Sequence, residues 1–494
     1  MHMINGVHRS RDTSRHVTRR AAHELFILVA LAVGLLQGCV TLDTVGPDYA
    51  PPETKTPDAW HQAATKGLAE GRADLQTWWV TLDDPVLDNL IRRAGAGNLD
   101  LKEAVARILQ ARASLGIVSG EQFPQIDGEG SFDRSRTSEG IQVAVPPPQD
   151  NPDNFSNLGL SATWEIDLWG RIKRSIESAD AALDASIEDY RDVLVLLFAD
   201  VATNYVEART LQARIRLARN NVELQRQTLQ LTKGRFTAGI APLLDVRQAE
   251  LNLARTESSI PTLRSSLAQA INRLGVLLGD YPSALYADLA QPAPIPVPPD
   301  DVTVGLPAEL LRQRPDIRRA ERALAAQTAQ IGVATADLYP QFSLFGTLAV
   351  SAVDAVTFFT SGNVTYSFGP QFSWNLFAGG SIRSNIDAQD ALTRQALFQY
   401  ENTVLQAVEE TENSMTAYVQ ERDRKGALTR SVTAAQEAVK LVETLYRTGL
   451  TDFNNVLNTQ AALFEQQDQL AESEGDVTQN LIGIYKALGG GWSP

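Results

Sequence analysis

Residues 171–233 contain neither proline nor glycine. A run of that length, rich in Ala, Leu, Gln and Arg, favours one regular conformation, the α-helix. At ~1.5 Å per residue it would extend roughly 95 Å, too long for the interior of a globule. A heptad of apolar residues passes through it: Leu194, Val201, Ala208, Ile215, Val222 and Leu229. Such a seam commits the helix to neighbours along its length. Its counterpart occupies residues 381–448. A plain coiled-coil rod is the simplest reading of these two runs, but a rod does not need strands inserted before each of them.

The two runs belong to an internal duplication. Phe123-Pro124-Gln125 recurs as Tyr339-Pro340-Gln341 at an offset of 216, shared by Asp100/Asp316 and Gly116/Gly332. The offset becomes 210 at Gly159/Gly369, Trp164/Trp374, Gly170/Gly380 and Ile172/Ile382, and stays so at Gly239/Gly449 and Val246/Val456. A loop between paired strands absorbs the change. The first unit covers residues 87–280: a helix, strands at about 125–135 and 156–167, and a helical hairpin at about 171–278. The second covers 305–488, with strands at about 341–351 and 364–376 and a hairpin at about 381–488. A Pro-rich connector (281–304) joins them, and 489–494 form a tail.

The strands alternate. Ile126, Gly128, Gly130 and Phe132 oppose Gln125, Asp127, Glu129 and Asp133; Leu158, Leu160, Ala162, Trp164 and Ile166 oppose Asn157, Ser161, Thr163 and Glu165. Phe342, Leu344, Leu348 and Val350 share one side, as do Val364, Tyr366, Phe368, Phe372 and Trp374. Strands of ~10 residues with one apolar face suit a membrane barrel, although a soluble sandwich with one wet face has the same pattern. Aromatics toward the strand ends and the scarcity of strands favour the barrel. Four strands cannot enclose a pore, and open edges in lipid leave backbone groups unpaired, so several chains must contribute to one barrel. Pro370 inside the last strand predicts a break or bulge in the ladder.

Charge and residue usage exclude other classes. Residues 1–38 carry five arginines against two acids, a net +3; with −15 for the whole chain, the remainder holds −18. An acidic body argues against nucleic-acid binding, which needs a basic footprint. The five histidines are His2, His8, His16, His23 and His61. Loss of the N-terminus would leave only His61, removing the raw material for histidine metal sites and Ser/His or Cys/His catalysis. No metal, cofactor or catalytic residue is predicted. A carboxylate-dependent hydrolase remains formally open without a supporting constellation.

The N-terminus reads as an address (residues 1–38): Arg9, Arg11, Arg15, Arg19 and Arg20 precede a short apolar run at 25–36, ending in Leu36-Gln37-Gly38-Cys39. This resembles a bacterial lipobox, making Cys39 the lipidated residue; an ordinary signal peptide with an incidental cysteine is the alternative. Acyl chains there would enter lipid through buried CH₂ groups. Residues 39–86 follow as anchor and extended tether, stiffened by Pro47, Pro51 and Pro52.

The segment Leu306-Pro307-Ala308-Glu309-Leu310-Leu311-Arg312-Gln313-Arg314-Pro315-Asp316-Ile317-Arg318-Arg319-Ala320-Glu321 resembles the signature of the NodT/OprM branch of TolC-like outer-membrane efflux lipoproteins. So do residues 334–344, Gly46-Pro47-Asp48-Tyr49 and Gly449-Leu450-Thr451-Asp452-Phe453. The resemblance extends over nearly everything after Cys39. It implies a mainly α protein with a membrane β-barrel part. Four strands from each of three chains would make a twelve-stranded barrel, continued through the periplasm by an α-barrel of long helices. It implies outer-membrane sorting, since Val40 rather than Asp follows the lipidated position. It also implies a homotrimer that works with a periplasmic adaptor and an inner-membrane pump of the RND class, conducting drugs or small solutes passively. An outlet for secreted proteins and a periplasmic tether are the rival readings.

A duct of this kind opens where the long helices turn back. Gly239 and Gly449 suit the left-handed position ending a helix, and Pro242 the first turn of the next. By resemblance, Arg235, Gly239, Arg447, Gly449, Leu450 and Thr451 are adaptor-contact residues, and Asp452, Asn455, Asn458 and Asp245 are gate residues. Asn458 stands where the family pattern has an acid, so an acidic ring is weaker at that level. Asp452 also reads as a helix cap, and Asp245 as ordinary charge at a helix start.

Overall fold

The computed structural model describes residues 44–54, 57–61, 67–71, 75–136, 153–305, 307–353 and 357–493. The address segment, Cys39 and Leu306 lie outside the described residues. In chain order the elements are β1 (Leu68–Glu70), α1 (Pro85–Gly97), α2 (Leu99–Gly120), β2 (Gln125–Ser135), β3 (Asp153–Ile166), α3 (Arg171–Thr237), α4 (Leu243–Leu277), β4 (Val302–Val304), α5 (Pro307–Gln313), α6 (Pro315–Ala336), β5 (Gln341–Ala352), β6 (Val364–Ser373), α7 (Ser381–Thr448) and α8 (Phe453–Ala487). β3 begins earlier than its alternation indicated, and β6 stops before Trp374.

The duplication is visible in the lengths. α2 and α6 have 22 residues each, α3 and α7 have 67 and 68, and α4 and α8 have 35 each. The long helices, each about 100 Å, run through the whole helical part. In one half they pack in the order α2–α3–α6–α7, in the other α4–α3–α8–α7. The short helices therefore abut end to end, α4 beneath α2 and α8 beneath α6.

Both joints use the same position of the repeat. Asn98 Nδ2 donates to the carbonyl of Leu277 at 2.9 Å, while its Oδ1 accepts from Leu101 N at 2.8 Å. Arg314, offset from Asn98 by 216, donates to the carbonyl of Ala487, offset from Leu277 by 210, at 2.7 Å. Arg314 also holds Asp316 at 2.7 Å and Glu410 at 2.8 Å. The signature arginine thus fastens α6, α7 and α8 together. Gly279 and Gly489 close the two joints with φ of 74° and 75°. A Cβ on Gly279 would overlap the carbonyl of Gly97.

Around the joints lies the main core, with Trp60, Trp78, Leu90, Tyr205, Leu274, Tyr418, Leu481 and Tyr485 buried. Each large apolar side chain there contributes on the order of 1.5–3 kcal/mol through removal from water. Trp78 stacks on Tyr485 with ring centroids 5.3 Å apart. The connector is drawn onto this core by Leu285, Leu289 and Ile295. Its carbonyls accept from buried side chains: Gln291 from Arg209 at 3.0 Å, Leu289 from Gln212 at 2.8 Å and Pro296 from Thr478 at 2.8 Å. The short parallel pair β1–β4 completes the belt.

β2, β3, β5 and β6 form one antiparallel sheet in that order. Its register pairs even-numbered residues with even-numbered residues throughout, such as Gly128↔Leu160, Leu160↔Leu348 and Leu348↔Tyr366. One face is therefore apolar over most of its length, through Ile126, Phe132, Leu158, Leu160, Trp164, Phe342, Leu344, Leu348, Tyr366, Phe368 and Phe372, with Arg134, Asn154 and Ser156 at the β2–β3 loop end. The other carries most of the polar residues. Most of the large apolar residues on that face are exposed in the single chain. Pro370 corrects one expectation. It pairs with Leu344 in an unbroken register from Gln341↔Ser373 to Val350↔Val364, with neither bulge nor break. Among the described residues β6 pairs with β5 alone, and that ladder passes Pro370 without a shift of register.

Candidate functional site

The two helical hairpins turn at the end opposite the sheet. At the first turn Ile240 N donates to Arg235 O and Gly239 N to Phe236 O, both at 2.9 Å. At the second, Leu450 N donates to Leu445 O at 2.8 Å and Gly449 N to Tyr446 O at 3.1 Å. This closure satisfies the last helix carbonyls and requires a left-handed residue. Gly239 and Gly449 supply it, with φ of 73° and 77°. Pro242 sits at the N-cap of α4, one position before the first turn predicted for it. Asp452 caps α8: its Oδ1 accepts from Asn455 N at 3.0 Å, and Asn455 Nδ2 donates to Thr451 Oγ1 at 2.9 Å. Asn458, one turn further on, is exposed and lines a shallow groove with Ser431, Ala434 and Ala438.

Arg235 joins the two tips. Its Nη1 donates to the carbonyls of Tyr446 at 2.9 Å and Arg447 at 3.4 Å. Its guanidinium lies 4.5 Å from the centroid of the Tyr446 ring. Tyr446 in turn packs with Phe453, Val456 and Ala249 in a small apolar cluster separate from the main core.

This contact ends a polar seam that the apolar heptad did not disclose. Arg214 holds Asp468 through two hydrogen bonds of 2.8 Å. Asn221 Nδ2 donates to Gln467 Oε1 at 3.2 Å, and Gln460 Nε2 donates to Thr228 Oγ1 at 3.0 Å. Positions 214, 221, 228 and 235 recur every seven residues, so one stripe of α3 meets α8 and then the end of α7 down to the tip. The signal was present as a heptad of hydrogen-bonding residues one place ahead of the apolar one.

Asp245, in the first turn of α4, is drawn into the same locality. Burial first, then the negative charge of Asp452, raises its carboxyl above the ordinary 3.8, with Arg235 opposing the shift. Two of the four predicted gate residues, Asp245 and Asp452, thus sense one another electrostatically. Outside this polar centre the tips are apolar and exposed, through Phe236, Ile240, Leu244 and Leu450. Arg447 is also largely exposed, and a Cβ on Gly239 or Gly449 would meet nothing within 4 Å.

At the other end, the first described residues are clamped where the sheet meets α3. Val45 N donates to Trp169 O at 3.1 Å, Asp48 pairs with Arg174 at 2.7 Å, and the Tyr49 hydroxyl donates to Glu321 at 2.6 Å. Cys39 lies five residue steps before Thr44, a reach of at most ~18 Å.

The sequence matches the profile described as "Outer membrane efflux protein" over residues 90–280 and again over 306–490, one match for each structural repeat. The chain belongs to the outer membrane efflux protein family. Nodulation protein T of Rhizobium leguminosarum bv. trifolii is 33% identical over 462 residues, covering 93% of this chain and 96% of that protein. The solvent efflux pump outer membrane protein SrpC of Pseudomonas putida is 31% identical over 483 residues, covering 94% and 98%. Among solved structures, the outer-membrane channel OprN superposes with a TM-score of 0.84 at 37% identity, over 91% of this chain and all of that one. This efflux protein is thus an outer-membrane channel component of the NodT-like, TolC/OprM type, mainly helical and extending into the periplasm. Channels of the family are trimeric and work with an adaptor and a pump.

Proposed function

We propose that three copies of this chain form a duct without enzymatic activity, anchored by lipid on Cys39 and by a shared twelve-stranded barrel. The observation that carries this reading is the sheet, whose apolar face extends across all four strands and whose outer strands β2 and β6 have no partner beyond β3 and β5 among the described residues. In hydrocarbon those edges require strands from other copies. The clamp of residues 45–49 beside the sheet supports lipid anchoring, because it leaves Cys39 within reach of the same leaflet. The duct passes small solutes or drugs delivered by an RND-class pump through an adaptor that docks on the exposed apolar tips. Arg235, Gly239, Arg447, Gly449, Leu450 and Thr451 make that docking surface, and Asp245, Asp452, Asn455 and Asn458 surround the closed aperture. Three copies repeat each tip charge three times, which concentrates the field there.

Purified protein in planar bilayers tests the reading. A detergent-resistant trimer with discrete conductance is expected, and a monomer without conductance would refute it. Asp452→Ala should raise leakage of ions and entry of vancomycin without loss of assembly. Asp452→Ser keeps a capping oxygen but removes the charge. Leakage from the alanine variant alone assigns Asp452 to capping, and leakage from both assigns it to the gate.

A further inference from the structure

A groove of about 460 Å³ opens between α3 and α4 beneath the connector. Its floor is apolar, from Ile215, Leu267, Ile271 and Leu289. Arg216, Arg219 and Arg264 line it. None of these three has a hydrogen bond or carboxylate partner among the described residues. Their neighbours do: Arg214 pairs with Asp468, Arg226 with Glu257 and Arg273 with Asp200. In a chain of net charge −15, three unpaired guanidiniums around one apolar floor are a local reversal of sign.

The position limits what can sit there. The groove begins some forty residues along α3 from the sheet, or ~60 Å, too far for lipid headgroups. It opens on a face of the helical ribbon, between adjacent staves. The free edges of that ribbon are the far sides of α4 and α7, and on the channel reading neighbouring copies would continue it there. The connector belt packs on the same face, and a belt inside a conducting duct would plug it, so the face is exterior. From Gln212 to Arg219 the groove spans two helical turns, ~10 Å. A cleft of this length, with Leu289 and Pro292 of the connector among its lining, admits a few residues of peptide rather than a helix.

We propose that this groove receives a short acidic peptide segment of a periplasmic partner, its carboxylates on Arg216, Arg219 and Arg264 and its apolar side chains on Ile215, Leu267 and Leu289. Guanidinium forks match carboxylates with two parallel hydrogen bonds, and the apolar floor adds burial that a surface ion pair lacks. The proposal rests on the reading of the chain as a channel whose helical part stands in the periplasm.

The test is fluorescence anisotropy on the full-length trimer in detergent, with a labelled tetrapeptide of two leucines flanked by glutamates. Saturable binding is expected, weakened at least tenfold by joint Arg216→Ala, Arg219→Ala and Arg264→Ala. Joint replacement of the same three by Glu should switch preference to a lysine-flanked peptide. Equal affinity in wild type and the alanine variant overturns the proposal, as does binding of dodecanoate but not peptide. Failure of the wild-type trimer to bind peptide, with loss of assembly in the alanine variant, overturns it in favour of a neighbouring copy. Peptide binding is read independently of conductance, so failure of the duct reading and failure of this site are distinguishable.

Discussion

Arg235→Ala tests whether the contact between the two tips holds the duct closed. The substitution removes a charge-assisted hydrogen bond to Tyr446 O at 2.9 Å, a weaker one to Arg447 O, and the stacking of the guanidinium on the Tyr446 ring at 4.5 Å. The first contributes about 1.5–3 kcal/mol where water is excluded, and a half-exposed cation–π pair about 0.5–1 kcal/mol. Solvent access to the tip discounts both, leaving about 2 kcal/mol per subunit. That corresponds to about a thirtyfold shift toward the open tip in each subunit. The assay is single-channel recording of the purified trimer, with vancomycin sensitivity of cells as a parallel readout. Spontaneous open time should rise at least tenfold, and Arg235→Lys should fall between the two because it keeps charge but loses the planar fork. Unchanged open time in an intact trimer of the alanine variant would refute the claim that this tie bears on closure.

Three further outcomes are expected. The raised carboxyl of Asp245 means that the closed tip binds its proton more tightly than an opened, solvated tip does. Its charge therefore opposes closure above the raised value and is relieved as pH falls through it; leakage should decrease on acidification from neutral, and Asp245→Asn should lower leakage and flatten that profile, so an unaltered profile counts against it. Arg314→Ala leaves Asp316 without its cation and Ala487 O without its donor, and leaves Glu410 only Lys486 at 3.8 Å; a loss of about 1.5–3 kcal/mol is expected for this partly exposed network, read as a lower melting temperature of the trimer. Cys39→Ser should abolish labelling by radioactive palmitate yet leave a detergent-resistant trimer, and loss of the trimer would show that lipid is needed for assembly.

Much of the architecture was written locally. Period-two alternation in β2, β3, β5 and β6 assigned each residue to a face, and the observed register keeps that parity across all four strands. Absence of helix breakers over residues 171–233 fixed α3, the duplication carried the same reading to α7, and paired glycines at 239 and 449 marked their turns. Pro370 breaks nothing because the register of β6 on β5 is set by the alternation of the whole strand, which one missing N–H does not shift. The signature arginine Arg314 was recognisable as a pattern, but its partnership with Ala487 O spans 173 residues of chain. Nor did the sequence reveal that Asn98 makes the equivalent joint, because Asn and Arg share no chemistry beyond an N–H to donate.

By itself, then, the sequence determined element type, length, facing and the twofold repetition, all of which follow from propensity and periodicity within a few turns of chain. Tertiary structure alone decided which polar groups meet. The seam at 214, 221, 228 and 235, the bridge from Arg235 to Tyr446, and the electrostatic coupling of Asp245 with Asp452 join residues 207 or more positions apart. Hydrogen bonds and ion pairs act over a few ångströms, so the partner of a polar side chain is set by how helices are laid side by side rather than by its neighbours along the chain.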